Sequence, residues 1–403
     1  MACITVAFSE GRRRHDKKNE KFHFHFVLSM ACTTFAFCFV MGTKKSYLQS
    51  LGSLQLLAIV MVVVGHFGFT DNAFMNSLGV GFCFVYSGFF TALHHRFDSS
   101  YGLKDHCRFM LNKLVKLYPL HLLAIALNII VMWRNGMIHD VSLKVLFYHL
   151  TLLSSWIPID DYYFGYNPVA WYICSLFFLY LMAPVVVRLL RRIPVTCQIL
   201  IITVLLVLEY IGGYVPGIGQ GHGLIGTYYL YQFPPMRLLD FTLGIILFNV
   251  TLTPWWSDRT SRLSSRSSTL LEVAAIVAFA ILFWLGKTHL NIHCYRALCV
   301  SAPAIVVILA TFILTSSHPG AISRALCVNP FPSLCKVSTE VYLLQFFAYF
   351  SLMPWFEHAH IDQNPLLTVP ITVVALFLES YLIHRYFTQP LNRLLRGKRK
   401  AAN

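Results

Sequence analysis

The sequence predicts an all-α polytopic integral membrane protein with about ten transmembrane helices, both ends of the helical region being cytoplasmic. Three observations carry that prediction. Of the 403 residues, 57% are hydrophobic and only 12% are charged, a balance too apolar for a soluble domain of this length. The apolar runs approach the ~20 residues a helix needs to cross hydrocarbon. The runs are also continuous and too long for barrel strands, and a backbone in lipid must satisfy its polar groups within its own helix.

The runs fall at about 48–67, 76–93, 117–133, 169–187, 197–215, 228–250, 270–286, 297–315, 336–355 and 366–387. The first contains "LGSLQLLAIVMVVVGHF", interrupted by Gln55 and His66. The third follows a basic stretch with Lys113 and Lys116, the sixth holds Arg237 and Asp240, and the ninth holds Glu340 and Gln345. An eleventh apolar stretch, "LFYHLTLLSSW" at 146–156, is read as interfacial or re-entrant. It is short for a span. Crossing there would also turn Arg188, Arg191 and Arg192 outward.

Charge sets the orientation. With Lys44 and Lys45 inside, the inner loops collect Arg96, Lys104, Arg108, Lys113, Lys116, Arg188, Arg191, Arg192, Arg259, Arg262, Arg266, Arg324 and the tail "RLLRGKRK". The outer loops hold Arg134, Lys144, Lys287 and Arg296 beside Asp71, Asp140, Asp160, Asp161, Glu357 and Asp362. The net charge of +15 is therefore read as membrane orientation, not nucleic-acid binding. The eleven cysteines are scattered without CxxC or Cys/His spacing, so neither a disulfide framework nor a metal site is expected. Residues 1–41 form a basic and then apolar extension outside this scheme, read as a signal-like segment, a helix that does not fully cross, or sequence upstream of a start at Met41, where "MGTKKSYLQSLGSL" resembles a natural N-terminus. The predicted transmembrane domain covers 42–396, with a basic cytoplasmic tail at 397–403.

Polar groups inside hydrocarbon are expensive and point to function. They are Gln55, His66, Glu209, Arg237, Asp240, Glu272, Glu340, Gln345 and Glu379. Arg237 and Asp240 are three apart on one helical face and suit mutual pairing. Gln55 and His66 are eleven apart, three turns on nearly one face, separated by roughly 16 Å along the axis. A polar group towards each membrane face suggests a path through the protein, with histidine as the usual base near neutral pH. A packing histidine bonded to a carbonyl is the other reading. The long outer loop 134–168, with "WIPIDDYYFGYNPVAWY", suits either sugar contacts or an aromatic interfacial belt.

The order of motifs resembles the membrane-bound acyltransferase-3 family, which includes glycan O-acetyltransferases. "LGSLQLLAIVMVVVGHF" is similar to its opening helix, where arginine precedes histidine by ten intervening residues; here Gln55 takes the arginine position and His66 is kept. "GVGFCFVYSGFFTAL", "FMLNKLVKLYPLHLLAI", "AWYICSLFFLYLMAPVV", "RLLDFTLGIIL", "VSTEVYLLQFF" and "RYFTQPLNRLLR" resemble later segments in the family's order, over roughly 44–396. Lys113 and Lys116 stand where arginines are usual, Gln345 where histidine is frequent, and Thr388 where glutamate is common.

The resemblance implies acyl transfer, usually acetyl, from cytoplasmic acyl-coenzyme A to a hydroxyl of an extracytoplasmic or lipid-linked glycan. It implies a cytoplasmic (inner) membrane location and no permanently bound cofactor, acetyl-CoA being the donor substrate. The expected partners are acyl-CoA, the glycan and the bilayer, with no nucleic acid. His66 is the expected base or acyl carrier, with Glu340 orienting its ring. Gln55, Lys113, Lys116 and Arg108 are expected at the donor. Trp171, Arg237, Asp240, Asp160 and Asp161 are the candidate acceptor contacts. Glutamine at position 55 offers neutral hydrogen bonds about half as strong as arginine's charge-assisted ones. Two other readings stay open: a transporter or flippase of lipid-linked sugars, and a catalytically inactive relative.

Overall fold

The computed structural model describes residues 46–68, 73–98, 100–212, 228–289 and 298–401. The extension at 1–41 lies outside the described residues, as do Lys44 and Lys45. Ten long helices follow in order: α1 Ser46–Phe67, α2 Ala73–His94, α3 Leu103–Arg134, α4 Ala170–Arg191, α5 Val195–Gly212, α6 Arg237–Thr251, α7 Ser265–His289, α8 Leu298–Leu314, α9 Ser338–His358 and α10 Pro365–Ile383. Each coincides with one of the ten apolar runs. Among the described residues, eight stretches are long and apolar enough to cross a membrane; α8 is shorter, and α9 is not among the eight. Glu340 and Gln345 lower the hydropathy of α9, and both are buried by neighbouring helices. The chain is thus an all-α polytopic membrane protein.

Side-chain links bring like ends of the helices together. Arg188, near the end of α4, donates to the carbonyls of Phe97, Asp98 and Tyr101 in the α2–α3 connection, at 3.2, 3.0 and 2.6 Å. At the opposite end Asn135 and Asn167, which bracket the long loop, donate to the Phe350 and Leu343 carbonyls of α9 at 2.6 and 3.1 Å. That loop holds a short helix, Leu143–Leu150, and a single turn at Asp160–Tyr163. The stretch 146–156 forms no helix long enough to cross. α3 starts fourteen residues before its apolar run because "KDHCRFMLNKLV" is also helical, and Asp105 accepts from the Gly102 N–H at 3.0 Å to close its first turn.

Glycine sets the closest helix crossing. A Cβ on Gly88 of α2 would run into the Phe241 carbonyl of α6, and one on Gly244 of α6 would run into the Val85 carbonyl of α2. Small residues let membrane helices approach to backbone contact, where packing rather than water drives association. Between α8 and α9 the chain turns back into the protein through Ala321–Leu326 and Phe331–Leu334. There Ser53 of α1 donates to the Leu326 carbonyl at 2.7 Å, and Cys335 lies 3.6 Å from the Ser53 hydroxyl. α9 therefore starts level with the middle of α1.

Glu272 of α7 anchors the turn before that re-entry. Its carboxylate, fully buried, accepts from Thr315, the N–H groups of Gly320, Ile322 and Ser323, and the Ser323 hydroxyl, at 2.6 to 3.1 Å. A buried carboxylate needs such an array to replace water. Glu272→Ala is expected to cost about 3 kcal/mol by stranding those donors, read as a lowered unfolding midpoint in detergent. Gly244→Val is expected to lower the midpoint similarly by forcing α2 from α6, by about 1–3 kcal/mol or more.

Candidate active site

α1 and α9 run side by side and carry the polar residues that matter here. Towards the basic end, a cavity of about 550 Å³ is lined by Gly52 and Gln55 of α1, Ser87, Thr91 and His94 of α2, Lys113 and Lys116 of α3, Lys336, and Ser338 and Thr339 of α9. Tyr86, Phe90, His95, Tyr180 and Cys335 complete its wall. It leads into a narrower chamber of about 130 Å³, the two sharing Gln55, Ser87, Lys113, Lys116, Tyr180, Ser338 and Thr339. Further in, the chamber wall becomes Ile59, Cys83, Tyr172, Ile173, Leu176 and Tyr342. The Tyr172 and Tyr342 rings lie 4.8 Å apart, and Phe84 packs 4.5 Å from Tyr172.

Helical periodicity explains which basic residues reach the cavity. Lys113 and Lys116 are three apart and share a face, whereas Arg108 lies five and eight residues before them, roughly 7.5 and 12 Å along the axis. Arg108 is exposed and does not line the cavity, so the donor role expected of it is not supported by its placement. Lys113 is braced by aromatic faces, its Nζ 4.2 Å from the Tyr180 ring centre and 5.3 Å from that of Phe109. Such cation–π contacts hold a lysine at a partly desolvated wall.

His66 lies in the last turn of α1, exposed at the end of the helix. Its Nδ1 is 2.8 Å from Oε1 of Gln345, which is fully buried. Phe346 and Phe67 flank the imidazole at 5.2 and 6.0 Å, and Phe67 stacks on Tyr349 at 4.3 Å. Glu340 does not orient this ring. It sits at the first turn of α9, where its carboxylate is 2.7 Å from Nδ1 of His384. Five residues separate Glu340 from Gln345, about 140° around the helix, so the two cannot serve the same imidazole.

The acceptor candidates divide. Arg237 and Asp240 are fully buried and pair at 3.0 Å, with Glu209 of α5 as a second carboxylate 3.8 Å from the guanidinium. Arg237 also donates to the Leu230 carbonyl at 2.6 Å and lies over the Tyr231 ring, on which Trp171 packs at 4.9 Å. These residues form an interior ion pair and aromatic stack, the mutual pairing that the three-residue spacing of Arg237 and Asp240 suits. Burial leaves no face of Arg237 or Asp240 for a sugar. Asp160 accepts from the Tyr163 hydroxyl within its own turn, and Asp161 is exposed beside it in the outer loop.

Several cavity residues escaped the sequence reading. Lys336 resembles any positive charge flanking a span, and only the re-entry before α9 brings it into the wall. Ser87, Ser338 and Thr339 are small polar residues without a spacing signal.

These features define a class: a polytopic helical membrane protein with a cationic cavity at one end of a helix pair and an accessible histidine towards the other. The acyltransferase domain of the acyltransferase-3 family matches residues 48–385, and the chain belongs to that family. It is also 26% identical over 196 residues to acyltransferase MdmB of Streptomyces mycarofaciens, covering 45% of this chain and 48% of that protein. The chain thus spans about half the length of that curated relative. No solved structure matches it.

His95, just beyond α2, has its pKa pushed down to about 4 by burial, with the charges of Lys113 and His94 adding to the effect. It is neutral in the folded protein across ordinary pH. An unfolded chain protonates it below about 6.5. Its contribution to stability is thus complete above that pH and is lost as pH falls towards 4. Histidine NMR is expected to place its midpoint near 4, and His95→Gln to reduce the loss of thermal stability between those pH values.

Proposed function

We propose that this protein is an O-acyltransferase of the cytoplasmic membrane that moves an acyl group, most simply acetyl, from acyl-CoA to a hydroxyl of an extracytoplasmic or lipid-linked glycan. The observation that carries the proposal is the alignment of a lysine-lined cavity and His66 along one helix pair. α1 supplies Gln55 to the cavity and His66 to the far end. α9 supplies Ser338 and Thr339 to the cavity, Tyr342 to the chamber and Gln345 to His66.

In this reading Lys113, Lys116 and Lys336 hold the phosphates of the donor as point charges. Gln55 donates its amide N–H to a carbonyl of the pantetheine arm, which enters the chamber beside Ser87. The rings of Tyr172 and Tyr342 part as the thioester advances towards His66. His66 then takes the proton of the acceptor hydroxyl while that oxygen attacks the thioester carbon. The carbon–sulfur bond breaks, the imidazolium returns its proton to the departing thiolate, and an ester and free coenzyme A result. In this reading the aromatic loop 134–168, tied to α9 by Asn135 and Asn167, contacts the sugar.

Membranes holding the native chain, incubated with radiolabelled acetyl-CoA, are expected to transfer label to glycan as an alkali-labile ester. His66→Ala at equal protein level is expected to reduce the rate by a factor of about 10²–10⁴, the usual contribution of a general base. Absence of label with the native chain would favour a transporter or an inactive relative.

A further inference from the structure

The bond between His66 and Gln345 does more than hold two helices together. A neutral imidazole exists in two tautomers, and the hydrogen sits on the nitrogen that meets an acceptor. Which end of the Gln345 amide faces His66 therefore decides which nitrogen is basic. That amide is not free to turn. Its Nε2 donates to the Tyr342 carbonyl at 2.8 Å, one turn back on α9, and the side chain is fully buried. Reversing it would set oxygen against oxygen at Tyr342 and lose a buried hydrogen bond. Oε1 must then face Nδ1 of His66, at the observed 2.8 Å.

We infer that Gln345 is a positioning residue: it pins the hydrogen of His66 on Nδ1 and leaves Nε2 as the basic nitrogen. The inference rests on His66 being the reacting histidine, but the tautomer itself does not. Phe346 and Phe67 fix the plane of the ring, so the Nε2 lone pair has a set direction. The same lone pair serves whether Nε2 takes a proton from the acceptor or itself attacks the thioester. A carboxylate in this position would add charge to the same task. Glutamine does it neutrally and leaves the imidazolium without a counter-ion from this side chain. The Tyr342 carbonyl links the device to the donor path, since the same residue walls the chamber.

Nitrogen-15 NMR of histidine-labelled full-length protein in detergent tests this without requiring turnover, with His66→Gln assigning the signal. The native chain is expected to show His66 as the Nδ1–H form. Gln345→Leu, or the better-matched Gln345→Met, is expected to release the ring to a mixture or to Nε2–H. Gln345→Glu, which as the neutral acid keeps an acceptor at Nδ1 and an O–H donor for the Tyr342 carbonyl, is expected to restore Nδ1–H. In acyl transfer, the apolar variants are expected to lose at least about tenfold in kcat with KM for acyl-CoA within about threefold, and Gln345→Glu to recover most of the loss. A native Nε2–H tautomer, or a tautomer unchanged by the apolar variants, overturns the inference. If the native chain transfers no acyl group, the proposed reaction fails while the NMR result still decides the role of Gln345.

Discussion

The register of α1 against α9 is the constraint on which the site depends. It is tied near mid-membrane by Ser53 and the re-entrant segment, and towards the far end by the 2.8 Å contact of His66 with Gln345. Gln345 is fully buried and has no water to fall back on, so its contact with His66 also selects a register. A shift of α9 by one residue would rotate Gln345 about 100° away from His66 and carry Ser338 and Thr339 off the cavity wall. Glycine packing of α2 on α6 supports that register from behind, because α2 forms the side of the cavity facing α1.

Polar groups in the bundle sort by what they face. Glu272 receives five hydrogen bonds and is spent on structure. Arg237, Asp240 and Glu209 face one another. Glu340 faces His384. Gln55 and the lysines face open volume, and His66 is exposed. Intramembrane cost alone does not separate function from architecture; accessibility does.

Much of the fold was legible in the sequence because hydrocarbon thickness imposes a length on each helix, and all ten runs became helices. The loop stretch at 146–156 was legible from the charge that crossing would misplace. The site was partly legible. Lys113 with Lys116 follows from helical spacing, and the opening motif places Gln55 and His66. The partner of His66 was not legible, because Glu340 and Gln345 are both polar and only five residues apart. The choice depends on how far α9 is displaced along α1, which the re-entrant segment sets and hydropathy does not encode. Arg108 lies outside the cavity lining for a related reason. Proximity in sequence to Lys113 does not give a shared face.

The central claim is that donor binding and acyl transfer occupy opposite ends of one path. Its most direct test is a binding titration of acetyl-CoA on purified native protein, on His66→Ala and on Lys113→Glu/Lys116→Glu. His66→Ala is expected to bind as the native chain does while transferring about 10²–10⁴-fold more slowly, and the double charge reversal to lose affinity by at least about tenfold. Equal binding by all three proteins, or loss of binding in His66→Ala with its fold intact, would contradict it.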